Sequence, residues 1–460
     1  MVIWPRVVGL LVVGYLCGKR SFAHLGFPPF FVGEIALGAF LLLKPRVVLG
    51  TWAASLLRAS PLNLLGLTLL VFMVYGVWQI GRGVFNGNAF IYTMKFFVFN
   101  YYALYIFLGI WVALHSPNFL PKLVRVIAWV NGIYGLLFVL LLRDVPISMP
   151  GYGGIDVPLF VGPGGGAVAI LGLLCFERNL LAAWLVVVLV LNIVVTAAWQ
   201  VRSEWAGLVL GMLVWGFLTG RMGRLVAIGM SGIVVFGMLE LADIRLVGRK
   251  GEEISLSETI GRFVAPLDVE LAEAISPGAA RHVGTAEWRE LWWDRIWRSV
   301  HSQPYLEAFG HGYGFDLMGL APLEVRDGQE HNEVRTPHSV FFYALGYTGW
   351  VGVILFAFLQ FALLKLLWRS YQVTNQPVGL VFWVAGITMA FFEGSFETPF
   401  KAIPFYLLAG MCIAPGLRSR SVSDVPLRTQ TSLRWKKGAG RMDGGVGRQR
   451  VKTAGRSETT

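Results

Sequence analysis

Apolar residues in this chain fall in long blocks, not in the short alternations of a soluble fold. A membrane-crossing helix needs about 20 mostly apolar residues. Blocks approaching that length, separated by short polar breaks, stand at roughly 3–17, 27–43, 62–80, 96–115, 122–142, 160–176, 180–198, 205–220, 225–243, 338–366, 378–396 and 402–416. The pattern predicts an all-α polytopic membrane protein with about twelve transmembrane helices. The first block, from Val7 to Cys17, is followed by Lys19 and Arg20 with no small-residue cleavage site, so it reads as a retained first helix. Between the ninth and tenth blocks the apolar pattern stops. The expected organisation is helices one to nine over 1–243, a large loop over 244–337, helices ten to twelve over 338–416, and a basic disordered tail over 417–460.

Composition supports the membrane reading. Of 460 residues, 55% are hydrophobic and 14% charged, against roughly 25% charged in a soluble domain. An ordinary cytosolic enzyme and a disordered chain are excluded, because the first needs more charged surface and the second far less apolar residue. The net charge of +12 is mostly in the tail, where 11 basic residues face 3 acidic ones from Leu417 to Thr460. No folded basic face remains to suggest a nucleic-acid partner, and the tail reads as a segment held near anionic membrane lipids. The positive-inside rule puts that tail, and with an even helix count both termini, in the cytoplasm. The 244–337 loop then lies on the outer face, with Lys19, Arg20, Arg82, Lys95, Arg143, Arg202 and Lys401 in the short outer loops. Cys17, Cys175 and Cys412 all sit inside apolar blocks and read as small core residues.

The large loop concentrates the polar chemistry. It holds 15 of the 27 acidic residues and, counting His338 at its exit, five of the seven histidines. Long loops are uncommon unless functional. Within it, GTAEWRELWWDRIWRSVHSQP places Trp288, Leu291, Trp292, Ile296 and Val300 at helical spacing. Two readings stand: an amphipathic helix lying on the bilayer, or a helix packed within a small external domain. In both, Arg289 is a fixed guanidinium near the headgroup level, suited to phosphate oxygens, with Arg295 a second cation on the same helix. FGHGYGF, from Phe309 to Phe315, lacks the strand and helix of a dinucleotide fingerprint and reads as a flexible turn in which His311 or Tyr313 lines a carbohydrate cleft. His338 follows Pro337 directly before an apolar helix, a cap or first-turn position where the helix dipole favours the neutral imidazole that a general base requires. Arg202 is the cation of the tight outer turn WQVRSEW, with the alternative of a simple interfacial anchor. No metal is expected, since D-x-D and H-E-x-x-H are absent and His331 with Glu333 makes only a thin ligand pair. No P-loop is present, and no cofactor is implied.

These elements together resemble the O-antigen ligase and polymerase family of bacterial envelope glycosyltransferases. Arg202-Ser203 corresponds to the family's arginine in a short outer turn; Arg289, Trp292, Pro304 and Gly310-His311-Gly312 to its tryptophan helix leading to a proline and G-x-G; His338, Phe341 and Gly349 to Gly352 to its histidine opening a helix that carries G-x-x-G. The resemblance spans roughly residues 180 to 365. Two positions differ: Ser339 stands where asparagine commonly follows the histidine, and Pro163-Gly164 where Pro-Asn is frequent. The resemblance implies a GT-C-like membrane fold in the bacterial inner membrane with its active site at the periplasmic face. It also implies a metal-independent, inverting transfer of a glycan from undecaprenyl diphosphate to an acceptor hydroxyl. On that basis His338, Arg289 and Arg202 are the expected catalytic residues, with Arg289, Arg202, Arg295, His311 and Tyr313 contacting substrate. The acceptor would be lipid A-core for a ligase and a growing glycan for an O-antigen or exopolysaccharide polymerase. A polytopic lipid or glycan transporter is the alternative from another class, and it would carry more ionisable groups within its spans than Glu34 and Glu240.

Deleting the residues after Ser423 is expected to leave membrane insertion and glycan attachment in cells intact, and a truncated chain that inserts but is inactive would show that the tail does more than sit at the membrane.

Overall fold

The computed structural model describes residues 3–27, 30–57, 60–150, 156–177, 179, 182–199, 201–241, 246–247, 253–254, 257, 260–261, 264–265, 268–276, 284–321 and 336–423. Residues 1–418 form one compact unit and 419–460 a second. The helices are α1 (Ile3–Ala23), α2 (Val32–Leu43), α3 (Pro45–Leu57), α4 (Asn63–Phe85), α5 (Phe90–His115, with a short 3-10 turn inside), α6 (Phe119–Leu142, ending in a π turn), α7 (Gly166–Phe176), α8 (Ala183–Trp199), α9 (Arg202–Thr219), α10 (Met222–Leu241), α11 (Val269–Ile275), α12 (Gly284–Val300), α13 (Pro304–Phe309), α14 (Val340–Thr374), α15 (Val378–Phe392) and α16 (Pro399–Ser423). Strand structure among the described residues is confined to three two-stranded antiparallel hairpins.

A helix stands at each of the apolar blocks, and α3 is one more that the pattern did not predict. Among the described residues five helices, α4, α5, α6, α14 and α16, are long and apolar enough to cross a membrane by length and composition. The face each presents outward is itself apolar. On α4, Leu65, Leu69, Phe72 and Gln79 are buried, whereas Val71, Val74 and Val77 on the opposite side are exposed. An exposed β-branched stripe is unfavourable in water and neutral in lipid, so the same helix satisfies both the core and a bilayer. Block boundaries shift where polar residues were absorbed into apolar averages: α15 ends at Phe392, which puts Glu393 outside the helix that the pattern ran to 396.

The loop helix α12 is a packed helix. Trp292, Ile296 and Val300 are fully buried, and the Trp292 indole donates to the Leu317 carbonyl at 2.9 Å. Leu291, which helical spacing assigned to the buried face, is exposed. The amphipathic face therefore closes onto the fold, including the first turns of α14, where Trp293 stacks on Phe342 with ring centroids 5.0 Å apart.

What anchors the loop is a break in α14. Gly349 takes φ 62° and ψ −170° inside the helix, a conformation open to glycine and strained for side-chain-bearing residues. The break frees the carbonyls of Gly346 and Tyr347 from their helical partners, and they accept instead from the backbone N–H of His311 and Gly312, both at 2.9 Å. Gly310, also at positive φ, lies so close that a Cβ on Gly349 would stand 2.5 Å from the Gly310 nitrogen and from the Ala308 carbonyl oxygen. The G-x-G string and the G-x-x-G string are thus two halves of one contact. From the other side, Arg82 of α4 donates to the carbonyls of Phe309 at 2.6 Å and Gly310 at 2.9 Å, supported by Gln79 at 2.8 Å. Its guanidinium also lies over the rings of Trp78 and Tyr305.

Arg82→Met removes the side-chain donor to the buried Gly310 carbonyl, while the Phe309 carbonyl keeps the Gln79 amide at 2.9 Å, and an unsatisfied buried group costs about 1–3 kcal/mol. The expected outcome is a lower melting temperature with faster proteolysis within residues 304–320, measured on the purified protein; unchanged proteolysis would mean the Gly349 contact alone holds the loop.

Candidate functional site

Five segments that are far apart in the chain meet beside the start of α14. The first is the turn that opens it. Ser339 is the N-cap of α14, with extended backbone, so His338 lies one residue before the cap and not in the cap or first turn that its place after Pro337 suggests. His338 adopts φ 52°, the left-handed region that a non-glycine residue enters at a cost and that recurs at functional sites. Two tryptophans of α12 hold this turn. The Trp293 indole donates to the Pro337 carbonyl at 2.7 Å, and the Trp288 ring meets the His338 ring edge-on at 5.8 Å. The tryptophan density of α12 is thereby explained by packing that positions the histidine.

Arg289 follows Trp288, and its guanidinium lies 5.4 Å from that indole's ring centre. Its Nε is buried with no hydrogen-bond partner. Burial lowers the guanidinium's pKa from its ordinary value, opposed by the nearby carboxylate of Glu393. Glu393 begins the turn between α15 and α16 and accepts from the Ser203 hydroxyl at 2.6 Å and from Lys401 in a short ion pair. Burial would raise its pKa, but Lys401, Lys19 and these hydrogen bonds outweigh burial and hold it at about 2. Ser203 and Glu204 stand in the first turn of α9 directly after Arg202, and buried Glu204 pairs with Lys19 of α1 at 3.2 Å. Direct contacts join His338 to Trp288 and Glu393 to Ser203, whereas Arg289 is linked to Glu393 through its field and Arg202 adjoins the cluster as the residue before Ser203.

Lys19, Lys401 and Arg289 face Glu204 and Glu393 in this cluster, leaving an excess of positive charge in a low-dielectric setting. Burying unbalanced charge is costly, and an anionic ligand of one or more charges would offset it. The arrangement suits a phosphate or diphosphate group. Glu397, four residues beyond Glu393, accepts from the Ser395 backbone N–H at 3.0 Å, and burial pushes its carboxyl up to about 7. It is the one described carboxyl of this turn that titrates near neutrality. Among the described residues no three His, Cys, Asp or Glu side chains gather as a metal site; His331 and Glu333 lie outside the described residues.

The other sequence candidates are placed differently. Tyr313 is fully buried and donates its hydroxyl to Asn100 at 2.5 Å, so it belongs to the packed core and lines no cleft. His311 is half-buried, stacked on Phe315 with centroids 4.0 Å apart and 3.0 Å from the Ser299 hydroxyl. The segment expected to be a flexible turn is therefore a fixed anchor. Arg295 donates to the Ala321 carbonyl at 3.1 Å, a role in closing the loop. Sequence reasoning missed Glu204, Glu393 and Glu397, noted Ser203 only as the small residue after Arg202, and treated Lys19 and Lys401 only as outer-face charges. A signal existed: FFEGSFETPF puts two acids in the short break between apolar blocks, and Lys19, Arg202 and Lys401 were already assigned to one side.

Residues 186–357 match the family model described as O-antigen ligase. The matched segment carries Arg202, Ser203, Glu204, Arg289 and His338, whereas Lys19, Glu393 and Lys401 come from helices outside it. No curated protein matches the chain.

Burial, with Arg82 nearby, pushes the His311 imidazole down to about 4 from its ordinary 6.5. The fold therefore holds it neutral while the unfolded chain protonates first, so its stabilising contribution is complete above pH 6.5 and is lost as pH falls toward 4. The melting temperature should fall less steeply across that window in His311→Gln than in the unaltered chain; identical slopes would show that His311 titrates alike in both states.

Proposed function

From a segment, residues 186–357, that belongs to the O-antigen ligase family, we propose that this protein is an O-antigen ligase: a metal-independent, inverting membrane glycosyltransferase. It transfers a finished glycan from undecaprenyl diphosphate to a hydroxyl of lipid A-core at the periplasmic face of the bacterial inner membrane. The observation that supports the reading is the arrangement in which Trp288 meets His338 and the next residue, Arg289, lies in the field of Glu393, which accepts from Ser203 in the first turn of α9. It brings a base and fixed guanidinium groups from three separated stretches of the matched segment into one neighbourhood that holds excess positive charge.

In this reading the imidazole of His338 takes the proton of the acceptor hydroxyl as that oxygen attacks the anomeric carbon of the donor sugar. The new glycosidic bond forms on one face while the bond from the anomeric carbon to the diphosphate oxygen breaks on the other, which inverts the configuration. Negative charge develops on the departing lipid diphosphate, and Arg289 and Arg202 offset it. Charges fixed in place before the reaction stabilise a leaving group without solvent reorganisation. The driving energy is stored in the donor's own diphosphate linkage, so no nucleotide is consumed.

The neighbouring carboxylates hold the cations in position: Glu393 and Ser203 link the first turn of α9 to Lys401, and Glu204 holds Lys19. The strained backbone at His338 and its two tryptophan supports keep the base at a fixed place relative to Arg289. Positioning of this kind accounts for much of the rate in reactions with little covalent assistance from the protein.

His338→Ala should abolish attachment, with a loss of at least about 100-fold if the imidazole is the general base, while the protein still inserts. Arg289→Lys should be nearly as harmful as Arg289→Ala because a planar fork of donors is lost. Normal attachment in a His338→Ala strain would overturn the mechanism. The lipopolysaccharide pattern of a deletion strain tests the ligase reading: loss of all attached repeats with accumulation of lipid-linked chains supports it, and a single attached repeat indicates a polymerase instead.

A further inference from the structure

Glu397 stands in the turn between α15 and α16, four residues after Glu393, and is 9% exposed. Its two carboxyl oxygens are served unequally. Oε2 accepts from the Ser395 backbone N–H at 3.0 Å. Oε1 is buried against the hydroxyl of Thr336, two residues before His338, and no other donor reaches it. Gly394 allows the two oxygens to meet, since a Cβ there would stand 2.6 Å from the Thr336 Oγ1 and 2.7 Å from the Glu397 Oε1. The turn that carries His338 is therefore held from two sides, by Trp293 of α12 at Pro337 and by Glu397 at Thr336. The groups that face Glu397 give it no cation of its own. Lys401 of α16 is paired with Glu393, and the α14 neighbours are Tyr343 and Tyr347. A buried carboxyl in that setting is favoured in its neutral form, and a neutral carboxyl carries the proton that Oε1 needs to make a hydrogen bond.

We propose that Glu397 is a positioning residue for the His338 base: as a neutral carboxyl it donates from Oε1 to the Thr336 hydroxyl and so ties the His338 turn to the turn that carries Glu393. The inference rests on the reading of His338 as the base and adds the link by which that base and the cations share one frame. Trp288 and Trp293 place the histidine relative to α12, whereas Glu397 places it relative to Glu393 and its partner Lys401. A neutral Glu397 also leaves the excess of positive charge among Lys19, Lys401 and Arg289 uncancelled, as an anionic leaving group requires. Burial pushes this carboxyl up to about 7 from its ordinary 4.5. The O–H donor is therefore present below that pH and is lost as pH rises through it.

The test follows hydrogen exchange in the purified full-length protein, over residues 336–342 and corrected for the intrinsic rate at each pH. In the unaltered chain, exchange should be slow at about pH 5.5 and about tenfold faster at about pH 8.5, as expected for the loss of one hydrogen bond. Glu397→Gln, whose amide donates at every pH, should stay slow throughout, and Glu397→Ala should be fast throughout. Faster exchange at the lower pH would overturn the neutral donor, and a rate independent of pH in the unaltered chain would overturn the contact. A pH response that survives in Glu397→Gln belongs to His338 itself and refutes the assignment. Should Glu397→Ala fail to fold, Thr336→Val removes the acceptor instead; it should exchange fast at both pH values, and slow exchange there rules the pairing out. Positioning is read separately, as glycan attachment in cells. Glu397→Ala should lower attachment by at least about tenfold and Glu397→Gln should restore most of it, whereas full attachment in Glu397→Ala would mean that the tie has no bearing on the base. Because exchange needs no substrate, a chain that shows the pH response but attaches no glycan would sink the ligase reading and leave the Glu397 contact standing.

Discussion

The docking of one backbone segment onto a broken helix is the contact on which the rest of this site depends. A helix uses its carbonyls internally and offers nothing to a neighbour except side chains. At Gly349 that rule is suspended, and the carbonyls of Gly346 and Tyr347 become acceptors for the N–H groups of His311 and Gly312. Backbone pairing of this kind sets the register of the loop to within a residue. It fixes where α12 must run, because α12 is joined to the docked segment through α13 by a short connection and closes on the start of α14. Arg82 completes the arrangement from α4 by satisfying the Phe309 and Gly310 carbonyls that α13 leaves at its end. An arginine among apolar helices is tolerated only when its donors are matched, and here carbonyls, an amide and two aromatic faces match them.

Once α12 is seated, its tryptophans translate that register into the geometry of the proposed base. Trp293 bonds the Pro337 carbonyl and Trp288 lies against His338, with Arg289 one residue further. The position of the histidine is thus inherited through packing from a glycine eleven residues further along the chain, inside α14. The cations are organised differently, by charge. Lys19, Lys401 and Arg289 are drawn to Glu204 and Glu393, and the interhelical pairs are worth more in an apolar setting than at a water-exposed surface. Two mechanisms of positioning therefore meet at one place: backbone docking for the base, electrostatic pairing for the cations.

Legibility in the sequence followed the physics of each feature. Helices at the apolar blocks were readable because lipid-facing and core-facing residues are both apolar, so that an unbroken apolar run marks a helix. The motifs around Arg202, Arg289 and His338 were readable because residue type and order survive without a structure, and the family match falls on the stretch that they delimit. Motif reading went astray where a residue's chemistry was used to infer its exposure. Tyr313 has a hydroxyl and sits between glycines, yet the hydroxyl is spent on Asn100 in the core. His311 and Arg295 were credited with substrate contact on similar grounds; in the fold His311 stacks on Phe315 beside the Ser299 hydroxyl and Arg295 donates to the Ala321 carbonyl.

By itself the sequence determined that this is a helical membrane protein, that most of its acids and histidines fall between the ninth and tenth blocks, and which short strings resemble the O-antigen ligase pattern. These are properties of composition and local order, and each is set within a few turns of helix. Only the tertiary structure decided that α12 packs inward, that the glycine string is an anchor, and that Lys19, Glu204, Glu393 and Lys401 join Arg289 in one cluster. The contacts that assemble it link residues as far apart as 185 positions for Lys19 with Glu204 and 190 for Ser203 with Glu393. No local pattern encodes which buried carboxylate a distant lysine will meet, because that choice is made by the packing of whole helices.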